Sequence, residues 1–578
     1  MSAPHVLRVA GPLVEVGAFT GAAMNDLVAL GESASPGEIV AIRDDRVTVQ
    51  AYEATGGLGP GAPVAPLHHP LSARLTPELL GGVFDGLLRP LHTAPTWLTP
   101  GGFRETDGRR WHFRPTIGSG RSVGPGEQLG AVEAGPIEYR VLVPSSRDGI
   151  VNSIVQEGAY SADQELACIG GTAVTMSERW PVRRARPFRR RDAAAAALRT
   201  GQRAVDLLFP VAKGGTVGVP GGFGTGKTML LQQLAKWCDA DVIVYVGCGE
   251  RGNEMAQIVA ELFALTDPRT GGPLAARTVV IANTSNMPMM AREASIYTGV
   301  TVAEFFRDMG YHAVVIADST SRWAEALREF ASRTGVLPAE EGYPADLASA
   351  LAAFYERAGA VTTLGGAAGS VTIVGAVSPP GGDLSEPVTA QTERFVRTRW
   401  TLDRELAYAR HYPALSWSAS FSHDVDAVAA GYAAAGDLDW SARRTRVVGL
   451  LAAADRLTAL TELVGVETLP PDERMVLLGG RLLREAVLQQ NALSANDSHC
   501  SMAKATALVD AVLVVLDRCR ELAAAGVAPE RIEALDFGPL VRAREAAGPA
   551  DTAAAGRLRD AMLTRLSALT TEPAGDRP

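Results

Sequence analysis

The chain lacks most of what would tie it to a membrane interior, an oxidising compartment or nucleic acid. No apolar run approaches the ~20 residues of a membrane-spanning helix. The opening Met1-Ser2-Ala3-Pro4-His5-Val6-Leu7-Arg8 is without the basic-then-apolar layout of a secretory signal. Five cysteines (Cys168, Cys238, Cys248, Cys500, Cys519) are odd in number, scattered and never in C-x-x-C spacing, which argues against a disulfide framework or a zinc site. A basic excess is missing too: the formal net charge is −9, against a surface built mainly for nucleic acid. These absences lead us to expect a cytoplasmic location and no nucleic-acid partner.

What is present is a long soluble-type chain. At 578 residues it exceeds one core, and 47% hydrophobic with 21% charged residues is ordinary for globular domains. Residues 1–70 alternate short β-like runs (His5–Val9, Leu13–Val16, Glu38–Ile42, Arg46–Gln50) with Gly, Pro and Asp turns, which predicts a small β-barrel. Residues 71–190 stay rich in Gly and Pro, with pieces such as Tyr139–Pro144 and no convincing helix, and read as a second β-rich module ending in a linker. That linker holds the densest charge run, Arg183-Arg184-Ala185-Arg186-Pro187-Phe188-Arg189-Arg190-Arg191, which the negative total favours as paired with acidic neighbours. Over 191–435 apolar strands (Val242–Val246, Thr278–Ala282, Ala313–Ala317, Val371–Val374) alternate with helical patterns, the signature of a mostly parallel sheet. Residues 436–578 turn Ala/Leu-rich and helical, with Thr571–Pro578 as a frayed tail. The fold class expected is therefore a multidomain α/β chain.

The most specific signal is Gly221-Gly222-Phe223-Gly224-Thr225-Gly226-Lys227-Thr228, which fits the phosphate-loop pattern Gly-x4-Gly-Lys-Ser/Thr. It follows the β-prone Gly215–Val219 and precedes the helix-like Met229–Lys236, the strand–loop–helix context the motif requires. Glycines let successive N–H groups turn toward one centre, Lys227 brings a mobile cation for the β- and γ-phosphates, and Thr228 a hydroxyl for Mg2+. Hydrolysis needs more: a carboxylate near the metal and a group to orient water. Asp318 ends the Ala313–Ala317 run, at the carboxyl end of a strand, where open α/β sheets bind ligands. Glu250 follows another strand through Gly247-Cys248-Gly249, with Glu254 and Asp383 as rival carboxylates that spacing does not separate.

The blocks Gly221–Thr228, Tyr245–Met255, Ala282–Pro288, Ala317–Glu329 and Ser378–Asp383, together with Trp180–Pro187, resemble the catalytic A subunit of V-type (archaeal/vacuolar) rotary ATPases over nearly the whole chain. The resemblance implies an N-terminal barrel, an inserted bulge module, a RecA-like nucleotide domain and a helical C-terminal domain. It implies an ATP hydrolase or synthase using ATP/ADP and Mg2+, coupled to proton or sodium movement. Three copies would alternate with three B subunits in an A3B3 ring, joined to central and peripheral stalks and to an ion-translocating sector on the cytoplasmic face of the membrane. Residue by residue, Glu250 falls on the catalytic glutamate, Arg251 on the neighbouring arginine, Lys227 and Thr228 on the phosphate and magnesium positions, and Asp318 on the Walker B aspartate. Tyr412 matches an adenine-facing aromatic. Leu493 stands where the family usually has a second one, an expected loss of about 1 kcal/mol. Thr225 replaces a cysteine of vacuolar relatives, so no redox switch is expected in the loop, and Ser416–His423 matches the family only loosely. The transition-state arginine would come in trans from the B subunit, so the isolated chain is expected to bind nucleotide and turn it over poorly.

Two other classes are disfavoured on the same residues. A ring-shaped nucleic-acid translocase would want a basic pore, and a non-catalytic nucleotide-binding subunit would lack the competent loop or Glu250. A secretion-linked or flagellar ATPase shares the architecture, and the size of 71–190 argues against it.

Overall fold

The computed structural model describes residues 3–569 apart from 18, 44, 93, 95–107, 194–195 and 547; the tail expected at Thr571–Pro578 lies outside them. The chain forms two compact units. The first is Met1–Ala194, Lys213–Thr216 and Ala240–Val396; the second is Ala195–Ala212, Val217–Asp239 and Arg397–Pro578.

In the first unit the barrel is a six-stranded sheet, β1 (Val6–Ala10), β2 (Leu13–Gly17), β3 (Asp26–Leu30), β4 (Ser35–Arg43), β5 (Arg46–Ala51) and β6 (Val64–Pro70), in the order β1-β2-β5-β4-β3-β6. Period-two alternation sends Val14, Val16, Val28, Leu30, Ile39, Val47 and Val49 into one core. The β6 end meets β1 through Val6 N to Ala62 O at 2.9 Å and Val64 N to Pro4 O at 3.0 Å. Closing the edge this way leaves few unpaired strand groups. Two four-stranded antiparallel sheets follow, built from strands between Arg110 and Val174.

The nucleotide-module sheet of this unit is parallel in its central strands, with Gly359–Thr362 antiparallel to Ala368–Val377. Val242–Cys248 pairs with Thr278–Asn283 on one side and His312–Asp318 on the other, and His312–Asp318 pairs with Ala368–Val377. The Thr278–Asn283 and Val242–Cys248 strands are buried along their whole length, which explains their near-continuous apolar sequence. Sequence spacing did not show that Val83–Phe84, from the β-rich region, adds a parallel edge to Thr278–Asn283. A two-residue strand carries no periodicity to read.

Part of the basic run is paired with carboxylates within this unit. Arg183 bonds Glu38 at 2.9 Å and Glu293 at 2.6 Å, and Arg186 bonds Asp308 at 2.7 Å and Glu178 at 2.9 Å. Arg190 and Arg191 form a short strand against Val361–Thr362. Guanidinium groups suit such joints because each can satisfy two carboxylates with several donors.

In the second unit the strand residues Val217 and Gly218 pair in parallel with Thr398 and Arg399, which pair in turn with Phe421 and Ser422. The C-terminal part is helical: Trp440–Val464, Pro471–Leu483, Met502–Ala524 and Ala553–Ala568. Ser501 caps Met502–Ala524 by accepting from Lys504 N, and Leu508, Val512, Val515 and Cys519 form its buried face. Among the described residues no helix is long and apolar enough to cross a membrane. Arg203, fully buried, gives Nη1 to Asp497 at 2.5 Å, Nε to Val487 O at 2.8 Å and Nη2 to Gln489 O at 2.6 Å. Asp497 also accepts from Asn491 N at 2.8 Å, so one ion pair fixes the 489–497 loop.

Two outcomes follow from the second unit. Asp497→Ala strands the buried Arg203 charge and is expected to cost about 3–5 kcal/mol in denaturant unfolding; a loss under 1 kcal/mol would contradict the role given to the pair. Burial, then the Lys236 and Lys504 charges, depresses His499 to about 4, and burial with Arg544 and Arg484 does the same to His411. The unfolded chain then binds protons more readily between the ordinary imidazole value of about 6.5 and about 4, so stability falls as pH drops through that window. His499→Gln is expected to flatten this part of the stability–pH curve.

Candidate nucleotide site

The strand Thr216–Pro220 ends at Gly221, and the helix Lys227–Trp237 of the second unit begins seven residues after the strand's last residue. Between them Gly224 and Gly226 have φ of +79° and +83°, left-handed conformations that cost other residues about 1–2 kcal/mol. A Cβ on Gly221 would stand 2.8 Å from Thr225 Oγ1 and 2.9 Å from Leu402 Cβ, so glycine is required there for packing. Thr225 closes the turn by donating its hydroxyl to Gly222 O at 2.8 Å. Lys227 Nζ lies 3.4 Å from Gly221 O, curled over the loop it belongs to. The helix cap is Gly226, which has no side chain to accept from the first-turn amides. Phe223 at the loop tip is 98% exposed.

Tyr412 stands beside this loop. A Cβ on Gly226 would lie 3.2 Å from its ring, and Tyr412 O accepts from Gln490 N at 2.7 Å, so the ring is held over the helix start and is 41% exposed. Leu493 is 89% exposed on the loop that Asp497 fixes, its N–H bonded to Asn491 Oδ1 at 3.0 Å.

In the first unit the carboxylate positions lie at the carboxyl ends of adjacent parallel strands. Gly247 is opposite Asp318 in the register, and Asp318, 3% exposed, accepts a hydrogen bond from the Tyr245 hydroxyl at 3.0 Å. Burial raises the Tyr245 phenol well above its usual range, helped by the charges of Asp318 and Glu250. Gly249, at φ +74°, turns the chain between Cys248 and Glu250; a Cβ there would sit 2.7 Å from Arg322 Cβ and 3.2 Å from Arg292 Cδ. Glu250 O accepts from Ser285 N at 2.9 Å.

Sequence profiles of four domains match in order: the ATP synthase alpha/beta family beta-barrel domain at 6–68, its barrel-sandwich domain at 106–183, its nucleotide-binding domain at 201–422, and the C-terminal domain of V and A type ATP synthase at 430–524. The chain is 47% identical to the V-type ATP synthase alpha chain of Nitrosococcus oceani, with 93% of both chains covered. It is 46% identical to the V-type ATP synthase alpha chain of a Thermoanaerobacter species, with 92% of both covered. The chain belongs to the V/A-type ATP synthase alpha-chain family. The assembled ATPase EscN of an enteropathogenic E. coli type III secretion system shares the fold, with a TM-score of 0.64 at 20% identity, covering 89% of this chain and all of that one. The architecture expected from the sequence, a barrel, a β-rich inserted module, a nucleotide domain and a helical C-terminus, is the architecture of this family, whose inserted module is the barrel-sandwich domain.

Within this V/A-type alpha chain the residues predicted as site members fall into two groups. Gly221–Thr228 stand with Tyr412 in the second unit; in the first, Asp318 is bonded to Tyr245 and Glu250 follows the end of the strand adjacent to Asp318's. Arg251, exposed at the cap of Gly252–Ala264, lies 3.8 Å from Glu254. The other rival, Asp383, is exposed and held low by the Ser385 hydroxyl and amide, at 2.7 and 2.9 Å. Thr228 is exposed on the first helical turn. Sequence reading did not single out Tyr245, Arg292 or Arg322. Arg322 pairs with Glu325 at 2.9 Å and also feels the Glu250 and Glu254 charges. Its position four residues after Asp318, at the start of the helix Thr320–Thr334, was the available signal.

Gly226→Ala is expected to cost about 1–2 kcal/mol in thermal or denaturant unfolding, because it forces a left-handed φ and presses a methyl on the Tyr412 ring. An unchanged midpoint would contradict the geometry of this turn.

Proposed function

We propose that Gly221, Gly222, Phe223, Gly224, Thr225, Gly226, Lys227 and Thr228 bind the phosphates of ATP or ADP, with Tyr412 against the adenine. The observation that carries this reading is the pair of left-handed glycines opening a helix whose first amides have no side-chain cap. Amides turned in this way, with the positive end of the helix dipole, favour a multiply charged anion. Lys227 adds a mobile cation for the outer phosphates. Tyr412 offers a broad apolar face, and Leu493 in place of a second ring leaves the other adenine face with less contact.

Thr228 and Asp318 offer a hydroxyl and a carboxylate, the hard oxygen donors that Mg2+ takes, one or two at a time, alongside phosphate oxygens and water. When bound, the metal ion neutralises charge building on the β- and γ-phosphate oxygens. Thr228 would hold it through its hydroxyl and Asp318 through the ion's water shell. Glu250 takes or orients the proton of the attacking water, and Arg251 places positive charge beside the phosphoryl oxygens. Glu250 is favoured over Asp383 because Asp383 is already bound up with Ser385.

As a member of its family the chain is a catalytic subunit of a V/A-type rotary ATPase, making or hydrolysing ATP. We extend this to its setting: alternation with B subunits in an A3B3 ring, central and peripheral stalks, the cytoplasmic face of a membrane, and coupling to proton or sodium movement through other subunits. The corresponding domain boundaries are 1–70, 71–190, 191–435 and 436–578.

The test is ATP hydrolysis by the chain alone, by the chain mixed with its B-type partner, and by the same mixture carrying Glu250→Gln. Turnover is expected only in the mixture and is expected to fall about 10²- to 10⁴-fold with the glutamine, while nucleotide binding survives. Activity indifferent to the substitution would remove Glu250 from the chemistry.

A further inference from the structure

Tyr245 is a fully buried tyrosine in the middle of a strand, where phenylalanine would fill the same volume without a polar atom to satisfy. Burying a hydroxyl is unfavourable unless it finds a partner, so the hydroxyl itself needs a reason. Its partner is Asp318 Oδ2, at 3.0 Å. The register explains how they meet. Val242–Cys248 and His312–Asp318 run parallel, with Tyr245 opposite Ile316 and Gly247 opposite Asp318. Tyr245 and Gly247 share a strand face, being two residues apart. Gly247 has no side chain to offer, and a Cβ there would collide with Met255 Sδ. The ring two residues earlier therefore supplies the contact from this strand, across the diagonal.

The consequence lies in the freedom of the aspartate. A carboxylate turns easily about its last torsion, whose energy profile is broad. A hydrogen bond from a group locked in a buried strand fixes the plane of the carboxylate and sets which oxygen is engaged. We propose that Tyr245 is a positioning residue for Asp318, holding its carboxylate in the orientation that receives the hydrated metal ion of a metal–nucleotide complex. The inference rests on the reading of Asp318 given above. Groups that orient a metal-facing side chain from behind, without touching the metal, matter about 10- to 100-fold in metal affinity when removed.

The experiment uses the full chain with ATP and with Mn2+ standing in for Mg2+. Bound Mn2+ is read by electron paramagnetic resonance for wild type, Tyr245→Phe and Asp318→Asn, and ATP binding is measured separately in the presence of EDTA. Tyr245→Phe keeps the ring and removes only the donor. It is expected to weaken Mn2+ binding to the ATP-loaded chain about 10- to 100-fold and to broaden or shift the bound Mn2+ spectrum, with metal-free ATP binding unchanged. If Asp318→Asn weakens Mn2+ binding while Tyr245→Phe matches wild type in affinity and spectrum, Tyr245 has no positioning role and this inference is overturned. If Asp318→Asn itself binds Mn2+ like wild type, the metal role of Asp318 fails, and the inference built on it fails with it. Equal loss of ATP binding in EDTA by Tyr245→Phe would mark the hydroxyl as structural and would also overturn it.

Discussion

The helix that starts at Lys227 opens with amide groups that its glycine cap cannot satisfy, and this deficit is the constraint around which the phosphate loop is built. Most helices meet it with a Ser, Thr, Asp or Asn side chain. Here the cap position is Gly226, pressed against the Tyr412 ring at a spacing where a methyl would be tight. Filling the cap with a side chain would satisfy the amides and crowd the ring together. On the proposed reading, leaving it bare keeps the amides for an anion and the ring for an apolar face. The same logic accounts for Gly221, where packing against Leu402 leaves no room for a side chain, and for Gly224, where the φ angle demands glycine.

A second constraint is the handling of buried charge. The chain is acidic overall, yet its core joints are guanidinium groups locked on carboxylates. Arg357 bonds Glu304, Arg277 bonds Asp267 at 3.1 Å, and Arg203 bonds Asp497, each pair almost without solvent exposure. Such pairs add little net stability over apolar packing, because removing two charges from water offsets their attraction. They are costly to break singly. Their effect is to fix orientation: Arg183 ties barrel residue Glu38 to Glu293 of the helix Met289–Asp308, the helix whose Arg292 flanks the turn before Glu250.

Much of this was legible in the sequence because its causes are local. The phosphate loop is a contiguous motif, the parallel strands are continuous apolar runs, and Asp318 ends one of them. What was illegible depends on residues far apart in the chain. Val83–Phe84 is too short to show a period, and its place at the sheet edge comes only from pairing with Thr278–Asn283. The Tyr245 hydroxyl looks like one more strand aromatic until the register sets it beside Asp318. The Arg203–Asp497 pair joins positions nearly three hundred residues apart, so no spacing rule reaches it. Glu250, Glu254 and Asp383 were equivalent by spacing; what sets Asp383 apart is instead local, a turn in which its carboxylate accepts from the amide and hydroxyl of Ser385, two residues on.

The central claim is that this chain binds nucleotide through the loop ending in Lys227. Equilibrium titration of the full chain with ATP, wild type against Lys227→Ala, tests it most directly. Saturable binding that weakens by more than about tenfold when the cation is removed is the result the account predicts, since a charge-assisted contact to phosphate is worth well over 1 kcal/mol. Binding of equal strength in the two proteins would contradict it.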